Sequence, residues 1–177
     1  MRALFLQDDT HLPPLGTWRC THGTACWLAD PAITQALARV LALDLTPLLQ
    51  VADDDLGDID AALEYLFTQR RDIAAIPAAI LEPALAAIAA CHAVRERAWT
   101  TPVVMLHALQ ALYDALGPVE TPPAPALLEA VAAASGAMPF DDAYLTEGFF
   151  HIELEDLIVM TRFAILRGAS RVRLWVA

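Results

Sequence analysis

The residues of this chain best suited to chemistry are Cys20, His22 and Cys26 near the start and the adjacent pair Cys91-His92 further on. Together they offer enough sulfur and nitrogen donors for a zinc ion. The spacing Cys-x-His-x3-Cys matches no usual zinc knuckle or ribbon, however. Cys20 and Cys26 also fall on opposite faces of the hairpin read below, so they do not share an ion. No metal is assigned. A cysteine nucleophile needs a histidine in reach and a lowered pKa. Cys91 and His92 are neighbours on a helix and diverge by about 100°. Whether Cys20 or Cys26 meets His107 or His151 is left open by the sequence. Buried, inert cysteine is the default.

Carboxylates are the second candidate. Asp53-Asp54-Asp55-Leu56-Gly57-Asp58-Ile59-Asp60, with Glu64, has the look of a calcium loop. An EF-hand loop needs oxygen ligands at positions 1, 3, 5, 9 and 12 and glycine at 6. Starting at Asp53 puts Glu64 last but moves Gly57 to a ligand position. Starting at Ala52 corrects the glycine but loses the first ligand and puts Leu63 last. Both registers fail. These acids read instead as a solvated loop that caps the following helix. They are also the best surface for an arginine- or lysine-rich partner, and Asp141 and Asp142 extend it. Asp60 with Glu64, and Glu153 with Asp156, lie about one helical turn apart. Such pairs do acid–base work or hold metals. At helix N-termini they more commonly serve the dipole.

Composition narrows the chemistry further. The chain has no lysine, no asparagine and two serines, Ser135 and Ser170. A Schiff-base mechanism is excluded, and serine catalysis has only those two sites. The seven glycines are scattered and form no phosphate-binding loop. The sequence therefore points away from an enzyme and implies no cofactor. Its net charge is −11, with arginine as the only basic residue. Such a surface repels nucleic acid and steers a basic protein inward. Three cysteines make no disulfide framework, and the apolar start is too short for a secretory signal. Both suggest a reducing cytoplasm. The apolar stretch from Ile73 to Val94 holds Pro77, Glu82, Pro83, His92 and many alanines, so no membrane span is expected.

The elements that must position these residues are mostly helical. Arg2 to Gln7 reads as a strand, and Thr17 to Leu28 as a hairpin turning at His22-Gly23, with Trp18 facing Trp27. Asp30-Pro31 and Thr101-Pro102 are cap-plus-proline helix starts, and Thr46-Pro47 opens a short segment. A helix from about Asp58 to Ala75 carries Ile59, Ala62, Leu63, Leu66 and Phe67 on one face. Pro77 and Pro83 break the next stretch, so a further helix is expected from Pro83 to Trp99. Ala126 to Ser135 is helical, and Met138 to Gly148 a loop. Phe149 to Ile152 reads either as a strand or as a helix entry. Glu153 to Arg167 is apolar almost all round, which predicts a central, buried helix. Arg171 to Val176 alternates as a half-buried strand, with Val172, Leu174 and Val176 on the inner side.

The expected fold is α+β, predominantly helical. It is a single domain over residues 1–177, with a small sheet from the N-terminal strand, the hairpin and the C-terminal strand. The expected function is an acidic cytoplasmic protein-binding module, an inhibitor or toxin-neutralising (immunity-like) protein that occludes a basic partner. Its binding residues are Asp53, Asp54, Asp55, Asp58, Asp60, Glu64, Asp141 and Asp142. The alternatives are a small-molecule-binding protein or enzyme with an apolar helical pocket, using His107, His151 or the acidic pairs, and a structural subunit of an assembly.

Overall fold

The structure is a computed structural model, and it describes residues 3–10, 17–19, 27–53, 78–136 and 143–176. Both chain ends build one sheet, as the sequence predicts. Strand β1 (Ala3–Asp8) pairs antiparallel with β4 (Val172–Val176), setting Leu6 opposite Leu174. On the other edge of β1 lies β2 (Thr17–Arg19), antiparallel, with Trp18 opposite Leu4. A two-residue strand β3 (Ala52–Asp53) adds in parallel to β4, giving the order β2-β1-β4-β3. Leu4, Leu6, Val172 and Leu174 are buried together on the inner face, as the period of two requires.

The hairpin reading needs correction in its second arm. Trp27–Ala29 is a 3-10 turn, and Trp27 does not stand across from Trp18. Its indole goes into the core, with ring centroids 5.1 Å from Tyr144 and 5.2 Å from Phe150. Burying a large ring against two others outweighs the strand propensity of a short segment. The proposed turn at His22-Gly23 lies outside the described residues.

Helices cover the sheet. Helix α1 (Pro31–Leu41) starts where Asp30 accepts a 2.8 Å bond from the Ala32 amide, with proline at the first position. A single turn α2 (Thr46–Leu49) follows. Helix α3 (Ala78–Arg97) runs through Pro83 without a break. Pro83, Ala79 and Glu82 are all exposed, so water can replace the bond that proline removes. Helix α4 (Pro102–Leu116) is capped by Thr101 and stopped at Gly117, and α5 (Pro125–Ser135) ends at Gly136. A short α6 (Ala143–Thr146) lies where a loop was expected. The Phe149 segment is a helix entry: it opens α7 (Phe149–Leu166), which packs along α4. Gly148 caps α7 at φ +79°, and a Cβ there would sit 2.7 Å from the Val119 side chain. Only glycine suits that position.

The core joins Ile33 and Leu37 of α1, Met105, Leu109 and Leu112 of α4, Val131 of α5, and Phe150, Leu154 and Leu157 of α7. One face of α7 is therefore fully buried. The other is not, contrary to the expectation of an all-round buried helix. Ile152, Val159, Phe163 and Leu166 are 50%, 60%, 51% and 83% exposed. Among the described residues, no helix is long and apolar enough to cross a membrane.

Candidate interaction surface

Helices α4 and α7 lie side by side with a groove of about 310 Å³ between them. Gln110, Tyr113 and Asp114 line it from α4, and Glu155, Ile158, Val159 and Arg162 from α7. Two contacts pin the helices in antiparallel order. Tyr113 Oη donates to Glu155 Oε1 at 2.5 Å. At the same end, His151 Nε2 donates to the Gly117 carbonyl at 2.9 Å. That bond leaves Nδ1 of this buried ring with no hydrogen-bond partner. The Tyr113 ring stands nearly edge-on to the imidazole, 5.7 Å between centroids.

Two carboxylates, Asp114 and Glu155, and one guanidinium, Arg162, line the groove. The bond to Glu155 raises the pKa of Tyr113, with burial and the Glu155 and Asp114 charges adding to it. Away from the groove, burial, and then the neighbouring Glu155 charge, raise the pKa of Asp156. A second open groove of about 310 Å³, between α1 and α5, is lined by Ala36, Arg39, Val40, Ala130, Ala133 and Ala134. It offers one charged group and no hydrogen-bonding set.

The other polar residues of α7 turn inward. Glu153 is 2% exposed and accepts a short bond from Tyr144 Oη within the core. Glu153 and Asp156 thus do not form a working pair. His107 is exposed on α4. It lies ten residues, or about 15 Å of helix, before the Gly117 carbonyl that holds His151. The two histidines do not converge.

Of the predicted partner-binding residues, Asp53 stands on the edge strand β3. Asp54, Asp55, Asp58, Asp60, Glu64, Asp141 and Asp142 lie outside the described residues, as do Cys20, His22 and Cys26. Cys91 and His92 are on α3. Among the described residues, no group of three histidines, cysteines or acids is placed to hold a metal.

Sequence reasoning missed the Tyr113–Glu155 contact, Gln110 and Arg162. The signal available was spacing: Gln110 with Asp114, and Glu155 with Val159 and Arg162, recur at three or four residues. Comparison with protein-family models, with curated proteins and with solved structures finds no match to this chain.

Proposed function

We propose that this chain is an acidic protein-binding module that occludes a basic protein partner, in the manner of an inhibitor or toxin-neutralising protein. The observation that supports the reading is the way the molecule distributes its charge. Several arginines are turned to internal contacts. Arg171 reaches Glu96 at 3.2 Å and Asp9 at 3.8 Å. Arg173 donates twice to Gln7 Oε1, at 2.8 and 2.7 Å. Arg167 donates to Thr10 and Arg97 to the Ala93 carbonyl. Meanwhile Glu82, Asp114, Glu120, Glu129, Glu147 and Glu155 are exposed. The net charge of −11 is thus expressed by a set of exposed carboxylates, while Arg97, Arg167, Arg171 and Arg173 make contacts within the chain. Such a field raises the encounter rate with a cationic surface.

The test is association kinetics with a basic protein encoded by a neighbouring gene. Association should slow about tenfold or more as ionic strength rises from about 0.05 to about 0.5 M, with dissociation changing less. Changing Asp53→Asn, Asp54→Asn and Asp55→Asn together should slow it further at low salt. A salt-independent rate that the triple change leaves intact would sink the proposal.

A further inference from the structure

The open face of α7 has an internal symmetry that the basic-partner reading does not use. Ile152, Val159 and Leu166 are spaced by seven residues, so they form one nearly straight line over about 21 Å of helix. Val159 is its midpoint. Glu155 and Arg162 flank the line on the α4 side, where both border the groove. Asp156 and Phe163 flank it on the other side, and Arg167 lies over the Phe163 ring at 5.8 Å.

We infer that α7 seats a second copy of this chain, packed antiparallel across a two-fold axis at Val159. In such a pair, each residue before Val159 meets one the same distance after it on the second copy, and like flanks stay together. Ile152 meets Leu166 of the second copy, and Val159 meets its own equivalent. Glu155 meets Arg162, and Arg162 meets Glu155. The groove carboxylates receive a cation twice over, once in each half. On the far flank, Asp156 meets Phe163 together with the Arg167 guanidinium stacked on it. An arbitrary exposed stripe has no reason to match itself in this way. Half-exposed Ile152, Val159 and Phe163 and the largely exposed Leu166 supply the apolar area, and the flanking charges set the direction of packing.

This pairing does not rest on the basic-partner reading, and salt separates the two. Two copies at −11 each repel at long range, and the Debye length falls from about 30 Å at 0.01 M salt to about 8 Å at 0.15 M. Self-association therefore strengthens as salt rises, whereas capture of a basic partner weakens.

Sedimentation equilibrium of the whole chain tests it. The unmodified chain should dimerise, more tightly at higher salt. Glu155→Arg alone and Arg162→Glu alone each set like charges opposite one another, and each should weaken the dimer by about tenfold or more. An equal mixture of the two variants restores opposite charges at both contacts and should dimerise again. Concentration-dependent shifts of the Val159 and Leu166 methyl resonances in the unmodified chain give a reading that needs no variant. A chain that stays monomeric at millimolar concentration in high salt overturns the inference. So does a dimer that neither charge change weakens, or a mixture that fails to recover from two folded variants. A monomeric chain that loses its basic partner on Val159→Arg assigns the face to that partner, overturning self-pairing alone. A dimer behaving as stated, with no salt-sensitive basic partner, removes the functional proposal alone.

Discussion

The sheet end of the molecule and the outer face of α7 carry the same kinds of residue and treat them in opposite ways. At the sheet end, charges and rings close on one another. The guanidinium carbons of Arg171 and Arg173 lie 5.0 and 4.7 Å from the Trp99 ring centroid. Asp9 accepts from the Ser170 amide at 2.9 Å and from its hydroxyl, and Thr100 bridges to Val172. These contacts join residues near both chain ends to the segment before α4. On α7, by contrast, Val159, Arg162, Phe163 and Leu166 are exposed and come from one stretch of helix. Charge and aromatic area at the sheet end are used to hold the chain to itself. On α7 most of it faces solvent.

The sharpest way to break this contrast is to delete one ring from each region. Trp99→Ala removes a half-buried indole and two cation–π contacts, and should cost about 2 kcal/mol of unfolding free energy. Phe163→Ala removes a ring that is 51% exposed and one contact with Arg167, and should cost less, about 1 kcal/mol. Urea unfolding of the two variants, at concentrations where the chain is monomeric, gives both numbers. Equal losses would mean that the α7 face is as much part of the fold as the sheet end.

A smaller effect follows at Asp9. The Ser170 hydroxyl, and then the amides of Arg171 and Ser170, hold its carboxyl below the usual 3.8 against a raising effect of burial. A group with a depressed folded-state pKa stabilises above its unfolded pKa and loses that stabilisation as pH falls. Asp9→Ala should therefore cost about 1 kcal/mol near neutral pH. The difference from the unmodified chain should shrink as pH drops below 3.8. A cost independent of pH would mean that packing, not charge, ties Asp9 to the Ser170 turn.

The same division explains what was legible in the sequence. Local signals were read correctly: Asp30-Pro31, Thr101-Pro102 and Gly117 set helix ends within a few residues. The alternation from Arg171 to Val176 places Val172 and Leu174 inward. What failed was decided at a distance. Nothing near Trp27 announces that its ring will pack on Tyr144 and Phe150 more than a hundred residues later. Tyr113 and Glu155 meet across 42 residues. For α7, composition alone does not separate a helix buried on all sides from one that buries half and offers the rest. Both look apolar in every window. The acidic run from Asp53 to Glu64 looked most like a site, yet only Asp53 falls within the described residues.

Asp156 gives the smallest effect and the cleanest opposition of sign. Burial first, and the Glu155 charge second, raise its folded-state pKa above 3.8. The folded chain then holds its proton more tightly than the unfolded one. Stability is complete below the unfolded pKa and declines as pH rises through the folded one. Asp156→Asn removes that decline. It should stabilise the monomer near neutral pH by about a few tenths of a kcal/mol, since solvent still screens a group that is only partly buried. In acid it should do nothing. Asp9→Ala and Asp156→Asn thus move neutral-pH stability in opposite directions; acid removes the Asp156 difference and shrinks the Asp9 one. Thermal unfolding at about pH 7 and about pH 3 reads all of this. If both changes destabilise at neutral pH, the carboxylate on α7 is already satisfied within its own chain. The far flank of that face would then contribute no open carboxylate to a second copy, leaving Glu155 and Arg162 as its charged pair.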